Sequence, residues 1–148
     1  MKKPKIFSST HRCSFLELDP YGHMNTVPYL THFLNNRFHG MREYIELDYK
    51  RITALPVFIV TQSVKLDFIR SVFADEEMEI RSWVEVWEET GCLVKAEMIK
   101  KDAGKLAATA EMGFRCVSRA SGKACPWPEE LEKLFFEVDD GAVPHVAK

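Results

Sequence analysis

Between Val27 and Ile45 the apolar side chains Val27, Leu30, Leu34, Phe38, Met41 and Ile45 advance by three or four residues, which puts them on one stripe of a 3.6-residue repeat that Phe33, Met41 and Tyr44 broaden. The pattern predicts a core helix from near Val27 to Glu46 or Leu47. Asn25 or Thr26 supplies its cap, and Pro28 falls in the first turn, where a missing N–H costs nothing. Thr31, Asn35, Asn36, Arg42 and Glu43 take the other face, with Arg37 expected as a solvated, ion-paired residue. Gly40 interrupts the interior, where glycine weakens a helix by about 1 kcal/mol relative to alanine. Past Pro56 the period changes to that of strands. Residues 57–73 are β-rich and extended, and Met78, Ile80, Val84 and Val86 then alternate with Glu79, Arg81 and Glu85. Turn signals at 88–91 and 102–104 separate two more strands, 92–101 and 106–119. Ahead of the helix, a loose alternation from His11 to Asp19 predicts a first strand, with Glu17 on it, stopped by the turn chemistry of Asp19-Pro20-Tyr21-Gly22. Pro126 to Glu130 opens a short last helix reaching Leu134 or Phe136, and residues 138–148 are expected to fray.

One strand, one helix and a meander of four long strands describe a single α+β domain over residues 1–148, a sheet wrapped around a helix. Composition agrees: 148 residues, 46% of them hydrophobic, are enough for one buried core. Twenty basic against 22 acidic side chains leave a net charge of -2, so no overall positive field exists to hold a nucleic-acid backbone. No apolar run approaches the ~18–20 residues of a membrane span, and the lysine-bearing start has no apolar segment like a signal peptide, so a cytoplasmic protein is expected. The four cysteines are widely spaced and read as reduced, mostly buried thiols. The five histidines offer only His32 and His39 at a two-turn interval, without the spacing of a helical metal pair. Neither a metal nor another cofactor is expected. Trp83, Trp87 and Phe114 would be unusual on a solvated sheet face, which points to a homodimer or homotetramer.

The run from Glu17 through Asp19, Gly22, His23, Asn25, Thr26 and Tyr29, followed by Phe33 and Arg37, is similar to the signature of hotdog-fold thioesterases of the 4-hydroxybenzoyl-CoA thioesterase and acyl-CoA thioesterase group. In those proteins an Asp, a Gly three residues later, often a His-x-Asn, and a Tyr ten residues after the Asp open the central helix. Every one of those spacings is met. The likeness extends through the strands, with Asp75 near an acidic turn, to the closing segment 128–131, and so covers nearly the whole chain. It implies the hotdog fold, a long antiparallel sheet around one central helix with a short C-terminal helix. It also implies hydrolysis of acyl-CoA thioesters. Two departures matter: Thr26 replaces a frequent second Asn, and Leu34-Asn35 replaces helix-borne acids of many relatives, which concentrates the chemistry on Asp19. Glu43 and Glu46 lie too far along the helix to substitute.

Attack on a thioester carbonyl creates an oxyanion, and the unpaired N–H groups at a helix start are oriented to receive it. Pro28 cannot donate, which leaves Thr26 with Asn25 or Val27 as neighbours, and the resemblance points to the Thr26 backbone N–H. Asp19 is then a general base toward water or a nucleophile forming a mixed anhydride. His23 is expected in support, orienting Asp19, touching the sulfur or capping the loop. Candidate substrate contacts are Asn25, which also suits a helix cap, and Tyr29, which also suits the core. Arg70 is available for CoA phosphates, while Gln62 and Ser63 would face the thioester from a neighbouring subunit, an arrangement the resemblance implies. An acyl carrier protein thioesterase and a non-enzymatic acyl-CoA-binding protein share this scaffold and stand as alternatives.

Overall fold

The computed structural model describes residues 2–137, so the expected fraying of residues 138–148 lies outside the described residues. Five strands, β1 (Phe7–Arg12), β2 (Val57–Phe68), β3 (Glu77–Trp87), β4 (Gly91–Lys100) and β5 (Lys105–Ser118), form one sheet in the order β1-β3-β4-β5-β2. Every neighbouring pair is antiparallel. The meander is therefore β3-β4-β5 alone. Strand β2 pairs with β5, from Val57 opposite Ser118 to Phe68 opposite Ala108, and the chain crosses the width of the sheet before β3. The long helix α1 (Thr26–Ile45) packs on this sheet, followed by α2 (Tyr49–Ala54) and, near the end, α3 (Glu129–Phe135).

The sheet presents α1 with a row of small side chains. Ser82, Ala96 and Ala110 stand opposite one another across β3, β4 and β5, and all three are buried. The buried stripe of α1 is rotated from the expected one. Tyr29, Phe33, Asn36, Arg37, Gly40, Met41 and Ile45 are buried, while Val27 and Phe38 are exposed. Asn36, expected on the solvated face, donates to the Ile80 carbonyl at 3.0 Å and to Ser9 Oγ at 2.8 Å, and accepts from Ser82 Oγ. Arg37, expected to be ion-paired and solvated, is buried and has no carboxylate partner among the described residues. Its guanidinium donates to Ser82 Oγ at 3.0 Å and lies over the Phe7 ring at 4.2 Å, and burial lowers its pKa to about 10, so it stays charged. Gly40 is there because a Cβ would come within 2.3 Å of the Phe7 ring. The helix interior gives up propensity and gains a close contact with β1.

Other expectations are corrected locally. Strand β1 ends at Arg12 instead of spanning His11 to Asp19, and Phe15–Glu17 is a 3-10 turn closed by a Ser14–Glu17 capping box, so Glu17 is not a strand residue. Helix α2 was not anticipated; Asp48 caps it by accepting from the Arg51 N–H at 2.9 Å. Trp87 and Phe114 pack against the core, and Trp87 stacks on Trp127 at 4.8 Å, so the chain's own C-terminal segment covers Trp87. Most of the exposed large apolar side chains of the sheet lie on β2, at Phe58, Val60, Val64 and Phe68, with Val86 on β3 the other. All four cysteines are free thiols, Cys13 and Cys116 buried.

Candidate active site

The Asp-Pro-Tyr-Gly segment folds into a closed loop whose ends are bridged at Leu18 and Met24. Inside it the Asp19 N–H donates to the His23 carbonyl at 2.7 Å, and the Gly22 N–H donates to the Asp19 carbonyl at 3.1 Å. Gly22 takes a φ of 81°, which a side chain would strain. The loop is pinned from both flanks: the Met24 N–H reaches the Val72 carbonyl and the Asn25 N–H the Glu17 carbonyl, each at 2.7 Å. Asp19 is thus delivered to the start of α1 by backbone hydrogen bonds rather than by side-chain packing. Its Oδ1 accepts from the Tyr21 N–H at 2.8 Å and the His23 N–H at 3.1 Å. Its Oδ2 accepts no hydrogen bond from the described residues.

Beside this carboxylate is a groove of about 240 Å³ that brings together Asp19, His23, Thr26, Tyr29 and Arg70. Five of the residues singled out in the sequence therefore share one cavity. The His23 ring meets Phe73 edge-on at 5.0 Å, which fixes its plane, and Tyr29 stands edge-on to Phe68 at the same separation. Burial pushes the Tyr29 phenol above its ordinary pKa, keeping it neutral. Arg70, on the connection after β2, is tethered through Nη1 to the Leu106 carbonyl at 2.7 Å and carries the positive charge of the groove.

Three residues behave differently. Asn25 is the cap of α1, and its Oδ1 accepts from the Thr26 N–H at 2.8 Å, so the amide singled out for an oxyanion already has a partner in this state. Gln62 accepts from Arg115 Nη2 at 3.0 Å, and Ser63 lies against Gly113, after a register shift in β2; neither lines the Asp19 groove of its own chain. A cluster the sequence did not join stands close by. Glu17 accepts from His11 Nε2 at 2.7 Å, from His32 Nε2, and from the Ser14 N–H at 2.9 Å. Burial alone would raise the Glu17 pKa, but the Ser14 N–H and the two imidazoles outweigh it and bring the carboxyl down to about 2. The signal present in the sequence was Ser14 three residues before Glu17, the spacing of a capping box.

A carboxylate with one oxygen held and the other left over, next to a helix start and a cation, can draw a proton from water or attack a carbonyl carbon. Comparison with known proteins agrees with the family that the sequence resembles. A search of curated proteins finds no match by sequence. Among solved structures, YbaW, a probable thioesterase from Escherichia coli, is 19% identical with a TM-score of 0.76, over 85% of this chain and 93% of that one. The hypothetical protein SAV2348 from Staphylococcus aureus, solved in complex with CoA, is 15% identical with a TM-score of 0.79, over 88% of this chain and 81% of its own. The DHNA-CoA thioesterase from the same organism is 18% identical with a TM-score of 0.73, over 82% and 80%. These likenesses establish the hotdog fold. The family model described as the thioesterase-like superfamily matches residues 13–135, and the chain therefore belongs to that superfamily, with the hotdog fold its helix-on-sheet architecture displays.

Proposed function

We propose that the protein hydrolyses acyl-CoA thioesters to a carboxylic acid and CoA, with Asp19 as general base or nucleophile. The observation that carries this reading is the Asp19 carboxylate, anchored through Oδ1 alone and lying in a groove with Thr26 at the start of α1. As a base, Asp19 takes a proton from water as the oxygen adds to the carbonyl carbon. Collapse of the tetrahedral adduct breaks the C–S bond, and the thiolate of CoA leaves. As a nucleophile, Asp19 displaces the thiolate first and water then cleaves the anhydride. In both cases the negative oxygen is stabilised at the helix start, where the Thr26 N–H becomes available if the Asn25 amide swings aside; losing one such donor costs roughly 2.7–4 kcal/mol of barrier in other enzymes. His23 supports the loop, Tyr29 shapes the acyl side of the groove, and Arg70 meets a phosphate of CoA.

The working unit we propose is a cytoplasmic homodimer or homotetramer. Its support is β2, a twelve-residue edge strand along which Phe58, Val60, Val64 and Phe68 are exposed in the single chain. Association through it would bring Gln62 and Ser63 of one chain toward the groove of another. The test is release of free thiol from a panel of short, medium, long and aromatic acyl-CoAs by the wild type and Asp19→Asn. Turnover abolished by the substitution in a folded oligomer supports the reading. Unimpaired turnover removes Asp19 from the mechanism, and product formation only with acyl carrier protein thioesters, or ligand binding without product, selects one of the two alternatives.

A further inference from the structure

We infer that His11, Glu17 and His32 form a binding site for a divalent transition-metal ion of the zinc class. The three residues come from β1, the 3-10 turn and α1, and their candidate ligand atoms, two imidazole nitrogens and one carboxylate oxygen, all lie within 4.8 Å of one another. The imidazoles face each other with ring centroids 3.7 Å apart, both turning Nε2 toward Glu17. All three side chains are largely withdrawn from water, at 33%, 13% and 11% exposure for His11, Glu17 and His32. A carboxylate is held between them from behind: Ser14 donates to Glu17 Oε1 through its N–H at 2.9 Å and its hydroxyl at 3.1 Å. Such supporting hydrogen bonds are what orient ligands in metal sites.

The donor set selects the kind of ion. Two neutral nitrogens and one oxygen suit zinc, cobalt or nickel, whereas magnesium and calcium require oxygen-rich shells. When the ion enters, the proton on each Nε2 shifts to Nδ1 of the same ring, and the ion takes the place that protons hold between the rings and Glu17. A fourth position is open as well, because His11 and His32 also line a groove of about 460 Å³ whose walls include Ser9, Thr10, Asn35 and His39. This groove shares no lining residue with the Asp19 groove. Three protein ligands with an open side is the plan of zinc sites that keep a water.

The experiment uses the full chain stripped with a chelator and titrated with Zn²⁺ by calorimetry and with Co²⁺ by visible absorption. One equivalent is expected, with the visible bands of low-coordinate cobalt and a raised unfolding temperature. Glu17→Gln and His11→Ala should each weaken binding by more than the roughly 10–100-fold typical of a lost supporting group, and Ser14→Ala should fall within that range. Glu43→Gln should bind as the wild type does, since Glu43 pairs with Arg42 at 3.0 Å on the exposed side of α1. No binding, or binding insensitive to His11→Ala, overturns the site. A thiolate-to-cobalt band in the near ultraviolet also overturns it, by assigning the ion to Cys116 and Cys125, whose sulfurs are 3.8 Å apart. If Glu17→Gln fails to fold, judged by circular dichroism, the His11→Ala result alone decides.

Discussion

The carboxylates of Glu17 and Asp19 are separated by one residue, and the chain surrounds them in opposite ways. Glu17 is saturated, accepting from Ser14, His11 and His32. Asp19 has one oxygen held by two backbone amides of its own turn and one left over beside a groove. Both are fixed in direction by local backbone, yet only the second keeps a lone pair for a substrate. The first is tuned to stay ionised and to gather donors. An acid's role here follows from which of its oxygens is unspoken for, not from the residue type or its depth in the fold.

The sharpest test of that contrast is Asp19→Asn, which retains the Oδ1 acceptor and removes the charge. Turnover of acyl-CoA should fall about 10²–10⁴-fold in a thiol-release assay, with the unfolding temperature close to wild type. Glu17→Gln should do the reverse of this in stability, losing about 1.5–3 kcal/mol in a urea titration because charged hydrogen bonds to three donor residues are weakened.

Acid titration separates the two further. The Glu17 carboxyl titrates from an ordinary 4.5 down to about 2 in the folded chain, so the unfolded chain binds the proton first, and the stability Glu17 contributes is present above pH 4.5 and disappears as pH falls toward 2. His32, depressed by burial from 6.5, adds a loss with the same sign that begins below pH 6.5. Urea midpoints measured over this span should decline for the wild type and decline less for Glu17→Gln. The smallest effect is assigned to Asn25→Ala, which removes the cap of α1: about 1 kcal/mol of stability, by thermal melting, together with release of the Thr26 N–H. If turnover rises or holds in that variant, the cap and the oxyanion donor compete; if it collapses, Asn25 contacts substrate directly.

Much of this was legible in the sequence because it is local. The turn before α1, the cap, Pro28 and the spacing from Asp19 to Tyr29 are chain-neighbour features, and they placed Asp19, His23, Thr26 and Tyr29 in one cavity. What failed was long-range. The buried face of α1 departs from its apolar stripe because Asn36 and Arg37 are buried by partners far along the chain, chiefly Ser82, which no periodicity reveals. Strand β1 was displaced because Ser8, Ser9 and Thr10 show no apolar alternation; pairing with β3 makes them a strand. The six residues of α2 are too few for a periodic signal. His11, Glu17 and His32 converge only once β1 has docked against α1, so their spacing in the chain said nothing.

Phe7 and Gly40 carry a consequence for anyone who edits the amino terminus. The ring occupies a notch that exists only where the helix lacks a Cβ, and it fits at one position along the helix axis. This works as a mechanical detent: a one-residue slip of β1 would withdraw the ring, turn its neighbours to the opposite side of the strand, and carry His11 out of reach of Glu17. Tags, graft points or rearranged chain ends placed ahead of Pro4 leave that phase intact, whereas an insertion between Phe7 and His11 sets the two ends of the strand out of step.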